Sequence, residues 1–161
     1  MNYSKALNEC IESAYMVAGH FGARYLESWH LLIAMSNHSY SVAGATLNDY
    51  PYEMDRLEEV ALELTETDYS QDETFTELPF SHRLQVLFDE AEYVASVVHS
   101  KVLGTEHVLY AILHDGNALA TRILERAGFS YEDKKDQVKI AALRRNLEER
   151  AGWTREDLKA L

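Results

Sequence analysis

Glu106 and His107 stand side by side at the head of an apolar run, and 77 positions earlier Trp29 and His30 stand in the same place. Seven histidines raise the question of a metal or a hydrolytic centre. His30 and His107 have no Cys, Asp or Glu three or four residues further on to share a metal. No His-Glu-x-x-His and no Gly-x-Ser-x-Gly stretch occurs, so the signatures of zinc hydrolases and of serine hydrolases are missing. In nearly all-apolar segments these two histidines read as core residues, their ring nitrogens satisfied by backbone groups or by the other half of the chain. His20, His38, His82, His99 and His114 fall near helix ends or surfaces and do not recur. Cys10, the single cysteine, lies on an apolar stripe and reads as a small buried hydrophobe. Glu106 falls in the first turn of a helix, where a carboxylate is favoured by the helix dipole.

These residues are positioned by a duplication. Residues 3–52 align without a gap on residues 80–129, and 11 of the 50 pairs are identical, among them Ser4/Ser81, Leu26/Leu103 and His30/His107. Composition alone would give roughly three matches. Two copies of a long unit do not make a solenoid, which stacks several short ones. They make a helical subdomain that packs against its own copy. Apolar residues at three- and four-residue spacing predict a first helix over about 5–19 and 82–98, with Ser4 and Ser81 as N-caps. A second, nearly all-apolar helix follows Ser28 and Thr105, and a third covers about 40–49 and 117–126, ended in the second copy by Gly128. A fourth covers about 53–65 and 131–150, with Ser130 and Asp133 resembling a capping box. The expected fold is all-α: two pseudo-symmetric four-helix repeats, about eight helices, packed as one globular domain. The parts are a first repeat over 1–64, an acidic linker over 65–79, a second repeat over 80–150 and a tail over 151–161. Gly152 breaks the tail, and Thr154–Asp157 opens one more short helix with the character of a connection or a frayed end.

The formal charge of −12 disfavours nucleic acid and anionic membrane surfaces. It favours proteins with basic patches and ligands carrying a guanidinium or ammonium group. No apolar run is long enough to span a bilayer, and the N-terminus has no signal-peptide pattern. With one cysteine, the expected compartment is the cytoplasm.

Residues 103–113, Leu-Gly-Thr-Glu-His-Val-Leu-Tyr-Ala-Ile-Leu, closely resemble the Gly-Thr-Glu-His-hydrophobic-Leu signature of the Clp N-terminal repeat. Residues 120–124, Ala-Thr-Arg-Ile-Leu, match the segment that follows it in that family. The resemblance covers roughly residues 3–140 and is strongest to the ClpC branch of the Clp ATPases. It implies an N-domain that receives adaptors, MecA-like in the best-known case, and protein substrates for an ATPase ring that feeds a ClpP-like protease. No Gly-x4-Gly-Lys-[Ser/Thr] stretch is present in these residues, so catalysis and cofactors are not expected of them. The chain resembles an isolated N-domain ending in the linker to an ATPase module. A free-standing Clp-repeat accessory protein and a small ligand- or metal-binding bundle are the alternatives.

The resemblance also implies a binding site for phosphorylated arginine. The glutamate of the signature takes the guanidinium, and the hydroxyl-bearing start of a first helix takes the phosphate. Carried over half by half, this assigns Ser81 and Glu106 to one site and Ser4 and Trp29 to its degenerate mate, with Thr105, His30 and His107 as signature residues. Trp29 departs from the family's glutamate. It reads as packing, as a cation–π face or as an aromatic anchor for an adaptor. Glu27 is two residues out of register and is expected to point elsewhere.

Overall fold

The computed structural model describes residues 1–50, 56–66, 77–115, 118–128 and 140–161. Among these residues it is almost wholly helical. The first repeat holds α1 (Lys5–His20), α2 (Ser28–Ser36), α3 (Val42–Leu47) and α4 (Arg56–Thr65). The second holds α5 (His82–Val97), α6 (Thr105–His114), α7 (Leu119–Ala127) and α8 (Ile140–Ala151), and α9 (Arg155–Ala160) follows. Two short strands, β1 (Asn2–Tyr3) and β2 (Val102–Leu103), complete the described elements. No helix among the described residues is long and apolar enough to cross a membrane.

Local sequence sets the helix ends. Ser4 and Ser81 cap α1 and α5, each hydroxyl accepting an amide of the first turn at 3.1 Å, from Leu7 and from Leu84. Gly128 ends α7 in the left-handed conformation at φ 117°, where a side chain would be strained. The third helices are shorter than their periodicity predicts. The expected Ser130–Asp133 cap and most of the acidic linker lie outside the described residues.

The repeats are interwoven rather than merely apposed. β1 of the first repeat pairs in parallel with β2 of the second, Tyr3 opposite Leu103. The mirror contact pairs Phe80 with Leu26. These are the same two positions offset by 77 residues, so a pseudo-twofold relates them. The fourth helices cross too: α4 packs on α7, and α8 packs on α3. Asn146 and Arg150 of α8 reach Tyr50 and Asp49 at the end of the first repeat's third helix. The Thr105 hydroxyl accepts the Ala43 amide at 3.2 Å, capping α3 from the other repeat. One core cluster runs through both repeats, from Leu7 and Leu32 to Leu109 and Leu147. α2 and α6 lie deepest, as their all-round apolarity requires.

The tail departs from the expected frayed end. Trp153 is half-buried, stacks on His107 at 6.0 Å and 10°, and meets Tyr110 edge-on at 5.3 Å. Thr154 and Asp157 form a reciprocal cap for α9.

Candidate functional site

The entry to α6 carries the signature residues. Gly104 sits at the N-cap, and its amide donates to His107 Nδ1 at 2.9 Å. In the first repeat the Glu27 amide donates to His30 Nδ1 at the same distance. A backbone N–H can only donate, so both rings accept through Nδ1 and carry their proton on Nε2. The two histidines are 0% and 2% exposed, and desolvation holds them neutral, at about 3 for His30 and about 4 for His107. Each therefore closes the start of a helix by hydrogen bonding. The backbone half of the expectation holds for Nδ1, while His30 Nε2 is buried with no partner among the described residues.

Glu106 folds back over Gly104. A Cβ built on Gly104 would lie 1.7 Å from Glu106 Oε1, so only glycine leaves room for the carboxylate. Oε1 also lies 3.4 Å from His107 Nδ1. With that nitrogen accepting an amide and the ring neutral, this approach is not an ion pair. Burial raises the Glu106 carboxyl above the usual carboxylate range, opposed by its own backbone amide. It is thus a poorly solvated acid at a helix start, a state that a bound cation would relieve.

Gly104→Ala tests this placement. The new methyl meets only the end of a flexible side chain, so the stability loss is expected to be about 1 kcal/mol or less. The displaced carboxyl regains water, and its raised titration should fall back toward the ordinary glutamate value. Carbon-detected NMR of the Glu106 carboxyl reads the change. An unmoved titration would show that Gly104 does not make the room.

The serines lie across the repeats from where their own sequence places them. The Ser4 amide donates to Leu103 O at 2.8 Å, which sets the start of α1 beside the entry to α6. The Ser81 amide donates to Leu26 O at 3.0 Å, which sets the start of α5 beside the entry to α2. The strands that fix both serines pair between repeats, so each serine lies beside a helix entry of the other repeat. The Ser81 hydroxyl donates to Glu27 Oε2 at 3.0 Å. Glu27, expected to point elsewhere, is the N-cap residue of α2 and the partner of Ser81. Offset by 77, Glu27 falls on Gly104. The two repeats thus bring a carboxylate to equivalent helix entries, of α2 and of α6, from different positions.

Trp29 is 9% exposed, its ring edge-on to Phe21 at 4.6 Å and against His30 at 3.8 Å, which leaves little of it for a cation or a partner. Cys10 is fully buried, and desolvation pushes its thiol up to about 12. No group of three His, Cys, Asp or Glu among the described residues is arranged to hold a metal.

Residues 2–127 match the family model described as the Clp repeat (R) N-terminal domain. No curated protein matches. Among solved structures, the N-terminal domain of the caseinolytic protease associated chaperone ClpD from Arabidopsis thaliana aligns at a TM-score of 0.72 and 18% identity, over 94% of this chain and 95% of that one. The Hsp104 N-terminal domain from Candida albicans aligns at 0.70 and 18% identity, over 98% and 96%. A structure from a malarial protein secretion system aligns at 0.66 and 20% identity, over 92% and 97%. At these identities the structural likeness speaks to the fold.

Proposed function

The chain belongs to the Clp repeat N-terminal domain family, and from that premise we propose that it is the substrate- and adaptor-docking module of a Clp-type protein unfoldase. It carries out no reaction of its own. It receives protein substrates, and an adaptor of the MecA-like kind, for a cytoplasmic ATPase ring that delivers them to a ClpP-like protease. Phosphoarginine is the mark it reads.

The observation that supports this reading is the desolvated Glu106 carboxyl held over Gly104 beside the start of α1. The guanidinium of the ligand takes Glu106, in a pairing that favours a planar fork on a carboxylate. The phosphate takes a helix N-terminus, where unpaired amides and the helix dipole favour an anion despite the acidic surface. The start of α1, which the bond from the Ser4 amide to Leu103 O sets beside the entry to α6, serves Glu106. Ser81 and Glu27 already satisfy one another, so the mate site is closed.

Calorimetric titration with free phosphoarginine tests this. Wild type is expected to bind with a stoichiometry near one, Glu106→Ala to lose at least tenfold in affinity, and Glu27→Ala to match wild type. Ser4→Glu, which sets a charge where the phosphate is bound, should abolish binding, while Ser81→Glu should not. Equal binding by wild type and Glu106→Ala would overturn the assignment, and a stoichiometry near two would reopen the Ser81–Glu27 pair as a second site.

A further inference from the structure

We propose that residues 153–161 form a strap that lies along α6 and closes the cleft between α5 and α6, an autoinhibitory contact built into the tail. This adds regulation to the docking role and rests on that role.

Two consecutive local signals aim the tail. Gly152 ends α8 in the left-handed conformation at φ 74°. Its amide donates to Glu149 O and the Trp153 amide donates to Glu148 O, each at 3.1 Å. These are the paired bonds of a Schellman stop. A side chain at position 152 would be strained at this φ, so the glycine fixes the direction in which the chain leaves α8. The reciprocal bonds between Thr154 and Asp157 then start α9. A helix of six residues is too short to be stable alone, so α9 depends on the surface it lies against. Its burial is one-sided: Trp153, Leu158 and Leu161 are half-buried, while Arg155, Glu156 and Lys159 are exposed.

The strap meets α6 at both of its own ends. Trp153 stacks on His107 and meets Tyr110 edge-on at 5.3 Å. Leu161 lines a cleft of about 490 Å³ with Tyr110 and His114 of α6 and with Val86 and Tyr93 of α5. His107, Tyr110 and His114 share one face of α6 at three- and four-residue spacing, and Tyr110 stacks on His114 at 6.4 Å and 12°. That face is about 10 Å long, and the chain from Trp153 to Leu161 spans about 12 Å as a helix. The lengths match, so a strap held by Trp153 at the start of α6 delivers Leu161 to its far end. Tyr110 belongs to both contacts and joins the anchor to the cleft. Val86 and Tyr93 remain 43% and 62% exposed beside the strap. The closure is therefore partial, and an occupant that covers them more fully displaces it.

Two measurements on the 161-residue chain test the strap: titration with the neutral apolar dye Nile red, and limited trypsin digestion read at Arg155 and Lys159 by mass spectrometry. Trp153→Ala and Leu161→Asp are each expected to bind the dye at least fivefold more tightly than wild type, which corresponds to a strap closed about four-fifths of the time or more. Adding Tyr93→Asp to either variant should remove the gain, because the dye then loses the uncovered wall. Trp153→Ala should also speed cleavage at Arg155 and Lys159 at least fivefold. A native thermal transition checks that each variant folds, and Leu161→Asp carries the test if Trp153→Ala does not. Dye affinity in Leu161→Asp equal to wild type would overturn the proposal, as would a gain that survives Tyr93→Asp. Protection from trypsin that falls on dilution would overturn it equally, since the tail over the cleft would then come from a second copy of the chain. Neither readout involves phosphoarginine or a protein partner, so the strap and the docking role can fail separately.

Discussion

Expressed apart, residues 1–66 and residues 77–161 are each expected to show little helical structure, and mixing them is expected to restore it. Each repeat loses more than an interface when its copy is removed. β1 loses β2, its strand partner. α4 loses the surface of α7, and α3 loses α8 together with the Thr105 hydroxyl that caps it. The apolar faces left open belong to one continuous core. A chain of either length buries a smaller fraction of its surface than a larger domain and is marginally stable even when complete, so such a loss exceeds the few kcal/mol of stability it would have. Far-UV circular dichroism of the separate fragments and of their equimolar mixture is the measurement. Native-like ellipticity with cooperative melting in either fragment alone would show that a repeat is self-sufficient.

Acid is the second strong perturbation. His30 and His107 are neutral in the folded state down to about 3 and about 4, because burial penalises the imidazolium. In the unfolded chain they take up protons near 6.5. A depressed folded value means stability that is complete above about 6.5 and is lost as pH falls, until the folded values are reached. Two histidines give a slope approaching about 2.7 kcal/mol per pH unit over this window, and a total on the order of 8 kcal/mol. Glu106 and Glu148 act in the opposite sense, since burial raises both carboxyls and favours their protonation in the folded state. They blunt the slope without reversing it. Urea unfolding between pH 7 and pH 4 is expected to show the midpoint falling steeply below about pH 6. A flat midpoint across that range would mean that the two rings are hydrated or charged in the folded protein.

The helices were largely legible before folding, because what makes them is local. The 3.6-residue stripe of Leu7, Cys10, Ile11 and Ala14 and the serine before it place α1 within a residue or two. The same holds for α5 and its stripe of Leu84, Leu87, Phe88 and Ala91. The deep burial of α2 and α6 follows from their lack of a polar face. Trp153 was less legible, since one ring in a polar tail carries no periodicity. Its place on His107 and Tyr110 is a contact with residues more than forty positions away.

By itself, the sequence determined that this is a twice-repeated helical domain of the Clp N-terminal family, which residues stand at each helix start, and that the repeats share a core chemistry. Those are properties of spacing and identity, and a chain carries them wherever its partners lie. Only the tertiary structure decided which copy of a serine lies at which helix entry. A duplicated sequence offers two pairings of nearly equal local quality, within a repeat or across it. The parallel pairing of Tyr3 with Leu103 and of Phe80 with Leu26 selects the crossed one. That choice sets Ser4 at the entry to α6 and joins Ser81 to Glu27. Pairing between residues that lie far apart along the chain is a non-local contact, and no pattern of neighbours records it.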